Sequence, residues 1–154
     1  MDDKTNMEEL VRAIVSQVLS GVGEPLEGIR KDKDPASGVA VVKRVSGIKM
    51  DPFPFDIGPA GKGVFLKDIF TLGESPRLGI GVMEMTKTSF PWTLRYDEVD
   101  YILEGALEIK VNGNVVTGNA GDVLYIPKNS SIEFSAPYYA KFVYVTYPAD
   151  WSNQ

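Results

Sequence analysis

Within Tyr96-Asp97-Glu98-Val99-Asp100, three carboxylates and a phenol crowd into five consecutive positions, with Arg95 just before them and Trp92 three residues further back. Oxygen donors this dense can hold a hard cation, orient a polar substrate, or shift one another's pKa values until one serves as acid or base near neutral pH. Other chemistry is closed off by composition. With no histidine and no cysteine, the chain offers no thiolate zinc site, no disulfide, no cysteine nucleophile and no imidazole base. A bound metal would therefore be an oxygen-liganded ion such as Mg²⁺.

The chemistry depends on how these residues are carried. In a strand, alternate side chains share a face. If Glu98 faces the lumen of a barrel, then Tyr96, Asp100 and Ile102 face it too, which puts two carboxylates and a phenol together. Buried side by side, the acids raise one another's pKa, a pattern that often marks function. The alternative is a structural network in which Glu98 bonds Tyr101 or Trp92 and a bulge turns Asp100 out to solvent.

The rest of the chain supports a strand setting. Short β-rich runs span 39–45, 64–70, 78–86, 98–103, 106–111, 115–117, 123–126, 131–134 and 141–147, separated by Gly, Pro, Asn and Ser. Asn112-Gly113 between two of them predicts a two-residue hairpin turn. Many short strands at this spacing predict an all-β sandwich, jelly roll or barrel over residues 39–154. Ahead of it, Thr5-Asn6-Met7-Glu8 fits a capping box, and Leu10, Val11, Ile14, Val15, Val18, Leu19 and Val22 form a helical apolar stripe. This predicts an amphipathic helix within residues 1–23. The polar segment 24–38 reads as a flexible linker. A helix so tethered suits docking into a hydrophobic groove of a partner; packing on the barrel or on a second subunit is the plainer alternative.

A net charge of −5 with no basic run argues against nucleic acid or an anionic membrane as partner. The first 23 residues carry four acids and no continuous apolar run, so they predict neither a signal peptide nor a membrane span, and a cytoplasmic address is expected.

Glu98-Val99-Asp100-Tyr101-Ile102-Leu103-Glu104-Gly105 resembles the first motif of the cupin superfamily, and Gly121-Asp122-Val123-Leu124-Tyr125-Ile126-Pro127-Lys128-Asn129 resembles the second. The resemblance implies a single cupin-type jelly-roll β-barrel. It also implies metal-ligating histidines where this chain has Trp92, Leu94 and Ile132, so that only the glutamate, Glu98, remains of the ligand set. One carboxylate without imidazole cannot hold a transition metal as cupins do, which sets aside their usual oxygenase chemistry. Over nearly the whole chain, through Tyr96 to Gly105, Val123 to Lys128 and Tyr144 to Trp151, the sequence is similar to the EutQ family of ethanolamine utilization proteins. That resemblance implies association with a bacterial microcompartment, with residues 5–22 similar to the peptides that dock cargo on shell proteins. It also implies acetate kinase activity, with acetate and ATP as substrates. On this reading Glu98, Asp100 and Tyr96 are the catalytic candidates, Asp97, Arg95 and Trp92 the substrate-binding ones, and Glu98 and Asp100 the ligands of a Mg²⁺ ion. Cupin barrels commonly pair through edge strands, so a homodimer is expected.

Gly58-Pro59-Ala60-Gly61-Lys62-Gly63 falls short of a phosphate-binding P-loop, since Asp56 and Gly63 occupy positions that need glycine and Ser or Thr; it reads as a turn, the alternative being that Lys62 touches phosphate. Tyr138, Tyr139, Phe142, Tyr144, Tyr147 and Trp151 read as core and subunit interface. Trp92 either plugs the lumen or walls it. Two rival functions stand beside the kinase: an inert barrel in a microcompartment assembly protein, and a small-molecule binding module, which needs an open lumen.

Overall fold

The computed structural model describes residues 29–154; the expected helix at 5–22 lies outside them. The expected all-β barrel is what forms. β1 (Arg30–Lys33) and β2 (Ala40–Lys43) make a separate hairpin. The barrel sheet comprises β3 (Asp51–Pro52), β4 (Val64–Asp68), β5 (Gly79–Leu94), β6 (Asp97–Val111), β7 (Asn114–Asn119), β8 (Val123–Ile126) and β9 (Ser130–Tyr147), in the order β3-β4-β5-β9-β6-β7, with β8 also paired to β6. All pairings are antiparallel.

Three long strands do most of the enclosing, because β9 lies between β5 and β6. Bulges between Thr86 and Thr88, and between Ile102 and Glu104, bend the long strands so that the sheet curls around its contents. Inside lie Met85, Phe90, Leu94, Ile102, Leu107 and Phe142, each at most 2% exposed. A second apolar cluster of Ile48, Ile69 and Val82 is covered by Ile29, Val42 and Val45 from the hairpin side.

Two expectations are corrected here. The stretch 24–38, read as linker, contains β1, so among the described residues regular structure starts at Arg30 rather than Val39. Charge joins the two strands through Asp32 and Lys43 and ties the hairpin to the 70–74 segment, with Lys31 paired to Glu74 at 2.6 Å and lying 4.8 Å over the Phe70 ring. A reading based on apolar alternation passes over a strand whose sequence is Arg-Lys-Asp-Lys. The runs expected at 98–103 and 106–111 are one strand, β6, and those at 131–134 and 141–147 are one strand, β9. Gly105 and Pro137 interrupt the apolar pattern without ending the strands, since each lies where the ladder is irregular.

Candidate functional site

β6 aims the acids. Its residues alternate from Glu98 to Ile102: Glu98, Asp100 and Ile102 are buried, while Val99 and Tyr101 are 37% and 46% exposed. At this point β6 is flanked on both sides, Glu98 pairing with Ile126 of β8 and Thr146 of β9, and Asp100 with Leu124 and Tyr144. The bulge lies beyond Ile102, so Asp100 is not turned out to solvent. Tyr96, 3% exposed, joins the acids from just before the strand.

Asp100 is fully buried, and neither of its carboxylate oxygens meets a donor among the described residues. The Glu98 carboxyl lies beside it. Two ionised carboxylates cannot bond to each other, but a protonated one donates to its neighbour. A proton on one acid would therefore let it donate to the other. Burial pushes Glu98 up to about 7, with its bond to Asp100 working in the opposite direction. Burial, followed by the Glu98 charge, holds Asp100 well above the ordinary carboxylate range.

Around the acids stands an aromatic wall. The Trp92 indole N–H donates to the Tyr96 hydroxyl at 2.9 Å, and burial together with the Glu98 charge raises the Tyr96 phenol. The Tyr144 hydroxyl donates to Asp68 Oδ1 at 2.5 Å, and burial followed by that bond raises its pKa as well. Gly81 makes room for this phenol, because a Cβ there would fall 2.1 Å from the Tyr144 oxygen. Trp151 closes the mouth, its ring centroid 5.8 Å from Phe55, 6.5 Å from Trp92 and 5.9 Å from Tyr96. Phe53 fills the remaining side, 5.7 Å from Trp92. What is left of the lumen is a cavity of about 20 Å³, touched by Glu98, Tyr96, Tyr144 and apolar rings, which is room for about one water molecule.

Three of the six expected site residues, Glu98, Asp100 and Tyr96, thus come together, with Trp92 as both wall and part of the plug. Arg95 and Asp97 do not join them. Arg95 is exposed, and Asp97 turns the other way to accept from the Lys128 backbone N–H at 2.9 Å and the Tyr125 hydroxyl at 3.1 Å. Along β6, alternation brings 98 and 100 inward and turns 97 to the opposite face, while Arg95 and Tyr96 lie in the bend between β5 and β6. A Mg²⁺ ion on Glu98 and Asp100 does not fit this lumen. Among the described residues no third His, Cys, Asp or Glu stands close enough to complete a metal group, and a cavity for one water has no room for the waters that Mg²⁺ keeps. The aromatic cluster read as core and interface divides: Phe142 and Tyr144 are buried, Trp151 stoppers the site, and Tyr138 and Tyr147 are exposed at 80% and 58%. Tyr144, Trp151, Phe53 and Asp68 were missed as site residues, although Tyr144 could have been found from its place two residues before Thr146 on a strand of alternating burial.

No helix among the described residues is long and apolar enough to cross a membrane. In fold, the chain is similar to an RmlC-like cupin from Shewanella frigidimarina NCIMB 400, with a TM-score of 0.53 at 18% identity, covering 69% of this chain and 88% of that one. It is similar also to the solved structure of the Clostridium difficile EutQ protein, with a TM-score of 0.76 at 47% identity, covering 82% of this chain and 91% of that one. A protein named acetate kinase EutQ from Clostridioides difficile strain 630 is 45% identical over 152 residues, 99% of this chain and 96% of the relative. The profile of the family described as ethanolamine utilisation protein EutQ matches residues 2–153, and the chain belongs to that family.

Proposed function

We propose that this protein is an acetate kinase, transferring the γ-phosphoryl group of MgATP to acetate to give acetyl phosphate and ADP. The observation that carries the reading is the 45% identity, over 99% of the chain, to a relative named acetate kinase EutQ. In the reaction an acetate oxygen attacks the γ-phosphorus, the bond to the β-phosphate bridging oxygen breaks, and its electron pair leaves on ADP. Acetate is already deprotonated, so no general base is needed, and Mg²⁺ arrives with the nucleotide rather than residing on the protein.

The lumen chemistry supports a role for Glu98 in holding acetate. A carboxyl raised to about 7 is protonated often enough at neutral pH to donate to the acetate carboxylate, while Met83, Phe90 and Phe134 offer an apolar wall for its methyl group. Asp100 acts as a positioning residue that keeps a proton on the pair, and Tyr96 and Trp92 fix the wall. Since the cavity holds about one water, acetate enters with the Trp151 stopper displaced. The protein works beside an ethanolamine-utilising microcompartment as a homodimer, with residues 5–22 docking on the shell.

The rival is an assembly protein with an inert barrel, which the nearly filled lumen favours. Purified protein with MgATP and acetate, acetyl phosphate being trapped as its hydroxamate, separates the two. Product from the wild type with a large loss in a folded Glu98→Ala variant supports the kinase and its acetate site. Equal product from both moves the site out of the lumen. No product and no nucleotide binding overturns the kinase and leaves the assembly role.

A further inference from the structure

A 20 Å³ lumen cannot take a triphosphate, so a nucleotide needs another surface. One open groove of about 500 Å³ is lined by Pro59, Ala60, Lys62, Gly63 and by residues 86–89 of β5. This volume falls within the range of small-molecule sites. In a protein of net charge −5, no Asp or Glu lines this groove. Lys62 and Lys87 both border it, and neither takes part in an ion pair among the described residues. The nearby carboxylate, Glu133, is occupied by the Ser89 hydroxyl at 2.8 Å and the Lys110 ammonium at 2.9 Å.

The groove is built rather than incidental. Lys87 stands where the β5–β9 register slips, opposite Pro137 and Tyr138, unpaired with β9 and held at a φ of 45°, a left-handed conformation that costs a lysine energy. Such an irregularity re-aims the side chain at its position. Opposite it, the turn Gly58–Gly63 is clamped to the bulge: the Thr88 hydroxyl donates to the Ala60 carbonyl at 2.9 Å, and a Cβ on Gly63 would lie 2.5 Å from the Thr86 carbonyl oxygen. Only glycine lets the two backbones approach this closely. The glycine-rich run is thus no P-loop, yet it sets one lysine beside another.

We propose that this groove, through Lys62 and Lys87 with the Thr86 hydroxyl, binds the polyphosphate of a nucleoside triphosphate. The inference rests on the kinase reading for its substrate class. It is tested by titrating ATP, inorganic tripolyphosphate and adenosine into the full chain by calorimetry, at two salt concentrations. The same titrations are run on Lys62→Ala, Lys87→Ala, Lys62→Glu/Lys87→Glu and, as a remote control, Lys49→Ala. ATP and tripolyphosphate should bind and compete, adenosine should not, and each groove alanine should weaken binding by about tenfold or more. The double reversal should abolish it, with thermal melting showing the variants folded. Unchanged ATP affinity in the double reversal, or no binding of tripolyphosphate by the wild type, overturns the groove. Acetyl phosphate formed undiminished by the double reversal would sink the groove and leave the kinase standing; lysine-dependent ATP binding without any acetyl phosphate from wild type would do the reverse.

Discussion

Replacing Glu98 by glutamine tests the reasoning about the lumen without reference to catalysis. The variant keeps the side chain's shape, donates an amide N–H to Asp100, and deletes one titration. In the wild type Glu98 is raised from 4.5 to about 7 by burial, so between those values the folded chain binds more protons than the unfolded chain. Its contribution to stability is therefore complete at low pH and is lost as the pH climbs toward 7, levelling off above that. At about 1.4 kcal/mol per pH unit, the interval between 4.5 and about 7 amounts to about 3 kcal/mol. Urea unfolding of both proteins at a series of pH values from roughly 5 to 8.5 reads the effect as the gap between two stability curves. The wild type should lose about 3 kcal/mol relative to Glu98→Gln across that range, most of it below pH 7. Parallel curves, differing in trend by less than about 1 kcal/mol, would refute the buried-acid account. On the kinase reading, kcat/KM for acetate should also fall as pH rises above about 7, because ionised Glu98 repels acetate rather than binding it.

Gly105→Ala should cost about 2–4 kcal/mol in urea unfolding, since φ there is 71° and the new Cβ would fall 2.1 Å from the Tyr139 carbonyl oxygen. Trp151→Ala leaves Trp92 as the one remaining tryptophan and should open the lumen, read as stronger acrylamide quenching of Trp92 fluorescence; unchanged quenching would mean that Trp151 is no stopper. Deleting residues 1–28 should leave the urea midpoint of the barrel unaltered while abolishing microcompartment targeting of a fluorescent fusion, and a large drop in the midpoint would instead show that the segment packs on the barrel.

The parts of the fold that obey alternation were legible in the sequence. Glu98, Asp100 and Ile102 face inward because strand geometry requires it once any one of them does, with Tyr96 joining them from the bend before β6, and Asn112-Gly113 makes the expected turn, at φ values of 51° and 78°. Asn129, standing where the second motif expects glycine, takes a φ of 67° and donates its N–H to the Leu94 carbonyl at 2.8 Å. Other features depend on contacts between distant positions. Arg95 and Asp97 read as part of the acid cluster through proximity in sequence, whereas the pleat turns Asp97 away and the bend before β6 leaves Arg95 exposed. Trp151 reaches the lumen only because the chain folds back after β9, and Lys62 meets Lys87 only across a bulge that no local pattern announces.

The missing histidines bear on Glu98 more directly than as a lost ligand set. Of the three positions where the cupin resemblance implies imidazoles, Leu94 and Ile132 are buried apolar side chains, and Trp92 presents a ring whose one polar hydrogen is committed to Tyr96. Imidazoles would have brought donors, positive charge and a metal ion, each of which stabilises a carboxylate and lowers its pKa. Apolar replacements reverse all three effects: they dry the lumen, leave the Asp100 oxygens with no partner but Glu98, and force a proton onto the pair. On the kinase reading, a carboxyl raised to about 7 in a small apolar pocket is a hydrogen-bond donor suited to the acetate carboxylate rather than a ligand suited to a cation.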